Sequence, residues 1–279
     1  MSNTSPALSR FGVPIVSLWI TAAALLFSGC SINTGNNSPP AQTIGKRVTY
    51  ADAARHAYVQ ALERFYDDNC LEAEPLMRNV RREYPYSRFA ALADLRVADC
   101  NFKDEKFPEA IEAYNQFVRY RPSHPEVPYA RFMAARANFA QVPSEWLLSP
   151  PAYERDLHYA DESLRLLRRM VLDFPDDPLV PRAQRLAEQA TKLLAAHELY
   201  VAHFYLDREF PRAAAGRLNT LLRSFPGTAY DPEALFMLGE SYQMMRDPRN
   251  AEQAWSRLIT RYPDNEYAAR AKAAAKKPD

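Results

Sequence analysis

The chain has 279 residues, 47% hydrophobic and 25% charged, with a net charge of +1. That is the composition of a globular protein, and 35 Lys+Arg balanced by 34 Asp+Glu lack the bulk positive charge of a nucleic-acid binder, so no nucleic-acid partner is expected. Seven glycines, where average usage would place ~20, argue against hairpin-rich β folds and phosphate loops, whose turns need positive φ.

Residues 11–27 form an apolar run behind a polar start that carries Arg10. A charged flank, a short apolar stretch and small residues at its exit describe a secretory signal, and the run is shorter than the ~20 residues of a membrane span. It ends in Phe27-Ser28-Gly29-Cys30. Small residues before a Cys resemble the lipobox of bacterial lipoproteins, Leu-(Ala/Ser)-(Gly/Ala)-Cys, with Phe27 where Leu is usual. The resemblance implies a signal peptide over 1–29 and a lipid on Cys30 that anchors the protein to a membrane. Ser31, where an Asp would imply inner-membrane retention, implies the periplasmic face of the outer membrane. Cys30 and the following stretch to residue 48, rich in Ser, Asn, Gly and Pro, read as a lipidated tether.

From residue 49 to 279 the apolar pattern is helical almost throughout. Five segments end alike: REYP (82–85), RYRP (119–122), LDFP (172–175), RSFP (223–226) and TRYP (260–263). The proline spacings are 37, 53, 51 and 37. The outer ones approach the ~34-residue tetratricopeptide (TPR) unit, a helix–turn–helix pair whose second helix ends at a proline. Positions twelve, eight and five before each proline should be small, apolar and apolar. They are Ala73, Met77, Val80; Ala110, Tyr114, Phe117; Ser163, Leu167, Met170; Ala214, Leu218, Leu221; and Ala251, Trp255, Leu258. The fold expected is therefore an all-α solenoid of five TPR-like helix pairs.

Within that register, unit one has Pro75 inside its second helix, which should start late or bend. Cys70, at the start of that helix, and Cys100, near the end of the first helix of unit two, lie on adjacent antiparallel helices. They could pair as a disulfide or pack as two buried thiols. Unit three separates its helices with a loop over 142–156, whose apolar tip is Trp146, Leu147 and Leu148. Unit four extends its first helix from about Pro181 to Leu206, so that it sticks out unless something covers it. Unit five has Gly239 opposite Ala251 for close approach, and Asp231-Pro232 as N-cap and first helical residue. A short Ala/Lys-rich tail follows, read as a fragment of a capping helix. The excess of proline, 22 residues, falls largely at helix starts such as Pro108, Pro211, Pro232 and Pro248.

Catalytic and metal motifs are not found. The five histidines, at 56, 124, 158, 197 and 203, do not cluster, and His197-Glu198 does not continue into a metalloprotease motif. Asp67-Asp68 and Asp176-Asp177 read as solvated turn residues. Arg81-Arg82 and Arg165, Arg168 and Arg169 read as solvated helix faces. Tyr84, Phe174, Phe225 and Tyr262, each before a terminal proline, read as packing between units. No enzyme activity, cofactor or metal is expected.

The long stretches YRPSHPEVPYARFMAA (120–135), ERDLHYADESLRLLRRMV (154–171) and ELYVAHFYLDREFPRAAAGRLNTLLRSFPGT (198–228), with the uneven unit spacing and the lipobox, resemble the BamD family. These are the TPR lipoproteins of the outer-membrane β-barrel assembly machinery. The resemblance implies a non-catalytic adaptor that binds POTRA domains of a BamA-like barrel subunit, works beside other assembly lipoproteins, and receives C-terminal signals of unfolded outer-membrane proteins. By resemblance, the Arg of GRLNTLL, Arg217, contacts the last POTRA domain; Glu154 and Arg155 are expected on the same partner surface. Read from the sequence alone, Arg217 is an edge residue with a packed stem and a solvated head. Tyr84, Tyr86 and Phe89 are assigned to the substrate-peptide groove, although Tyr86-Ser87-Arg88 lacks the Gly-Pro that some members have. The alternative is a periplasmic TPR adaptor for peptidoglycan or envelope-constriction machinery.

Overall fold

The computed structural model describes residues 42–143 and 150–276, with side chains from Thr49 onward. Cys30, the signal peptide and the Trp146-Leu147-Leu148 tip lie outside the described residues. Among those described, the secondary structure is helical, with no strands. The helices are α1 (Gln42–Tyr66), α2 (Cys70–Glu83), α3 (Arg88–Lys103), α4 (Phe107–Tyr120), α5 (Val127–Ala140), α6 (His158–Asp173), α7 (Val180–Leu206), α8 (Pro211–Ser224), α9 (Asp231–Met244), α10 (Pro248–Arg261) and α11 (Glu266–Ala274). The compact unit begins at Thr43, so α1 starts inside the stretch read as tether.

From α2 to α11 each helix packs on the next in sequence. The buried side chains form overlapping clusters along the stack, from Tyr58, Ala61 and Phe65 against Met77 at one end to Trp255 against Ala268 at the other. All fifteen register positions are buried, none more than 4% exposed. They lie on one face of α2, α4, α6, α8 and α10, because residues three and four apart share a helix face.

The turns between α1 and α2, α3 and α4, α7 and α8, and α9 and α10 share one geometry. Asp68, Glu105, Glu209 and Arg246 sit at φ of 58–60°. In each, the residue at positive φ bonds to the carbonyl three back and its successor to the carbonyl five back, as in Asp68 N to Phe65 O and Asn69 N to Arg64 O. These are Schellman turns, which satisfy the last carbonyls of the first helix. The scarcity of glycine did not exclude positive φ; charged residues occupy it.

Four other expectations are revised. Helix α2 starts at Cys70 and includes Pro75. Pro75 is on the exposed side, where water can serve the carbonyl that its missing N–H leaves free. Asp231 is not the N-cap of α9, a place taken by Tyr230. Its buried carboxylate instead accepts hydrogen bonds from the backbone N–H groups of Gly227 and Thr228 and from the Tyr262 hydroxyl. The residue against Gly239 is Trp255: a Cβ there would lie under 3.0 Å from the indole. The loop of unit three carries a 3₁₀ turn, Ala152–Glu154, which lies on α7 and so covers part of the overlong helix. The Ala/Lys tail includes α11, which packs on α10 and α9; residues 277–279 lie outside the description.

Candidate interaction surfaces

The first surface lies at the N-terminal end of the stack. Tyr86 follows the end of α2 and is 95% exposed. With Tyr50, Asp52 and Arg55 of α1 and Ser87, Arg88 and Phe89 it lines a pocket of about 460 Å³. Phe89 packs on Tyr58, ring centroids 5.4 Å apart, and the Arg88 guanidinium lies over the Phe89 ring at 5.0 Å. Tyr84 does not line this pocket. It caps α2, its N–H bonding to Val80 O, and its ring meets Tyr50 edge-on at 5.4 Å. The structure thus brings Tyr86 and Phe89 together and places Tyr84 behind the wall. The pocket offers aromatic faces, two cations and one carboxylate, the chemistry to hold an extended peptide through apolar side chains and a charged end.

The second surface lies along α7. The Arg217 Nη1 on α8 is 3.5 Å from both carboxylate oxygens of Glu198 on α7. The Glu198 side chain is 13% exposed and that of Arg217 43%. The guanidinium therefore reaches the surface with one side held, and Glu198 fixes where it points. One residue away, His197 Nδ1 is 2.6 Å from Tyr153 O, and the Tyr153 ring packs on Tyr200 at 5.7 Å. The same turn of α7 therefore holds Arg217 from one element and the 3₁₀ turn from another. Glu154 is exposed on that turn, and Arg155 is its C-cap. Farther along α7, Phe204 remains exposed with the Arg208 guanidinium 3.6 Å from its ring centroid.

A buried polar cluster joins α3, α4 and α5 and was not foreseen. Asp99, with 5% of its side chain exposed, meets Arg96 Nη1 at 2.7 Å and accepts from the hydroxyls of Tyr114 at 2.6 Å and Tyr129 at 2.8 Å. Burial raises the Asp99 carboxyl above its ordinary range, against the opposing pull of Arg96 and the two hydroxyls. Burial, and then the Asp99 charge, push both tyrosine phenols up as well. A signal was present: Tyr114 occupies a core register position, and a buried phenol needs a hydrogen-bond partner. Its carboxylate is almost wholly buried and its hydrogen bonds run between three helices, the geometry of a structural tie. Among the described residues no group of three or more His, Cys, Asp or Glu could hold a metal ion, and no helix is long and apolar enough to cross a membrane.

Residues 50–254 match the model of a family described as YfiO, outer membrane lipoprotein. The chain belongs to this family. YfiO relatives include the outer membrane protein assembly factor BamD of Xylella fastidiosa, 24% identical over 252 residues that cover 89% of this chain and 82% of that protein. BamD of Neisseria meningitidis is 26% identical over 223 residues, covering 79% and 84%. The resemblance to the BamD family read from the long stretches therefore stands. Among solved structures, a TPR protein of Thermus thermophilus aligns over 79% of this chain and 98% of its own, with 16% identity and a TM-score of 0.35.

Proposed function

We propose that this YfiO-family chain is a non-catalytic adaptor in the assembly of outer-membrane β-barrel proteins, anchored by a lipid on Cys30 at the periplasmic face of the outer membrane. The observation that carries this reading is family membership over residues 50–254, together with relatives described as outer membrane protein assembly factors. A stack of helix pairs with two separate surfaces suits a protein that joins partners. In this reading the α7 surface, with Arg217, Glu154 and Arg155, holds POTRA domains of a BamA-like barrel subunit. The pocket beside Tyr86 and Phe89 receives C-terminal signals of unfolded outer-membrane proteins, and other assembly lipoproteins complete the complex.

The test is co-purification from detergent-solubilised membranes. The expected companion is a barrel protein with periplasmic POTRA domains. Recovery of cell-wall enzymes in its place would overturn the assignment.

A further inference from the structure

Four of the five helices that end before a terminal proline have an aromatic C-cap: Tyr84, Phe174, Phe225 and Tyr262. The fifth, α4, has Arg121. Its backbone behaves as the others do. Its φ and ψ are −137° and 59°, against −129° and 53° for Tyr84, and its N–H bonds to the carbonyl four residues back. The cap geometry therefore does not require the cation, and the side chain must be explained by its surroundings.

The Arg121 guanidinium packs 5.4 Å from the Phe117 ring and donates from Nη2 to Asp94 Oδ2 at 2.7 Å. The other oxygen of Asp94 accepts from Arg81 Nη1 at 3.2 Å. One carboxylate on α3 thus orients guanidinium groups from the ends of α2 and α4. They face a cleft of about 470 Å³ that spans α2, α3 and α4. Arg78 also lines the cleft but is matched by Glu74 on its own helix. Two arginines against Asp94 leave one net positive charge, and each guanidinium keeps N–H donors that Asp94 does not use. Beside the charges, the part-exposed Val97 and Ala113 provide an apolar lining, with Phe117 buried beneath it. Tyr120, also in the lining, is 74% exposed. The cleft shares no residue with the pocket beside Tyr86.

We propose that this cleft binds an extended acidic segment of a partner polypeptide, with one carboxylate seated between Arg81 and Arg121 and a neighbouring apolar side chain on Val97, Ala113 and Tyr120. Charge complementarity selects an anion, and the apolar lining selects a peptide over a free inorganic ion, which would leave that lining uncovered. The inference goes beyond the assembly reading and does not depend on it, because the test needs only the purified chain.

The probe is a fluorescein-labelled octapeptide of alternating glutamate and leucine, titrated by fluorescence anisotropy against the full-length protein in detergent. A peptide with glutamine for glutamate is the control. The acidic peptide should bind saturably, more weakly as salt is raised, and the glutamine peptide about tenfold more weakly. Arg121→Phe restores the residue type that the other caps carry. It should keep the unfolding midpoint and lose about tenfold in affinity, as should Arg81→Gln. Should Arg121→Phe misfold, Arg121→Gln is read in its place. Equal binding of the two peptides, unchanged affinity in both arginine variants, or absence of saturable binding would each overturn the proposal. So would inorganic phosphate binding with the same Arg121 dependence while the acidic peptide does not bind.

Discussion

At Gly239 the limit is a ring. The Trp255 indole lies where a Cβ would go, and its Nε1 is tied to Phe236 O at 3.2 Å, so the ring cannot step aside without losing that bond. Gly239→Ala would gain about 1 kcal/mol of helix propensity but pay about 1–3 kcal/mol in overpacking. The expected outcome is a lower urea midpoint and a changed tryptophan emission; an unchanged midpoint would show that the indole relocates freely. Arg217 calls for a different substitution. A glutamate at 217 would stand against Glu198, mixing a folding effect with a binding effect, so Arg217→Gln is the cleaner variant. If the α7 surface holds a barrel subunit as proposed, this variant should leave the fold intact and weaken that capture by about tenfold or more, since the charge proposed to face the partner is lost. Equal recovery from membranes would return Arg217 to the role of an edge residue with a solvated head.

The helices repeat one turn whose demanding corner is filled by Asp68, Glu105, Glu209 and Arg246. A side chain in the left-handed region costs about 1 kcal/mol or more, whereas glycine adopts it freely at some cost in unfolded-state entropy. Glu105→Gly should therefore raise the thermal midpoint slightly, by the equivalent of up to about 1 kcal/mol; a clear fall would mean that the Glu105 side chain matters more than its backbone. At the seam between α2 and α3, Cys70 and Cys100 have Cα atoms 5.4 Å apart and are joined as a disulfide. Closing a loop over a sequence separation of 30 is worth roughly 3–4 kcal/mol in the chain-entropy model. Unfolded, unreduced mature protein should show no free thiol, and reduction should lower the midpoint; two titratable thiols would exclude the bond. The second helices of the pairs were legible because their register depends on local period and a terminal proline. The contact of Gly239 was not, because Trp255 arrives from another helix; nor was that of Asp231, whose carboxylate turns back to Gly227 and Thr228 and is shared with Tyr262.

For the whole stack, the buried phenols set the response to alkali. Tyr58, Tyr114 and Tyr129 are all raised above the ordinary value of 10.0, chiefly by burial. Below about pH 10 the phenols are protonated in both states and the stabilisation is complete. Above it the unfolded chain releases protons that the folded chain retains, so stability falls as pH rises. Absorbance at 295 nm should show tyrosines that titrate only on unfolding, and Tyr114→Phe should flatten the loss. A stability that stays level through pH 11 would contradict this account. The solenoid class was readable from spacing alone. The tie around Asp99 and the 3₁₀ turn on α7 were not, because nothing in a helical period says which polar groups will meet across three helices or where an irregular loop will land.

The order of packing also has a consequence in time. From α2 onward each helix finds its main partner in the next one along the chain, and the few contacts that skip an element, such as α5 with α7 and α9 with α11, still span short lengths of sequence. Such low contact order favours rapid folding, and a chain that emerges from its N-terminus can complete each pair before the rest is available. Cys70 and Cys100 belong to the early part of that sequence, so their bond can close before the C-terminal helices have joined the stack.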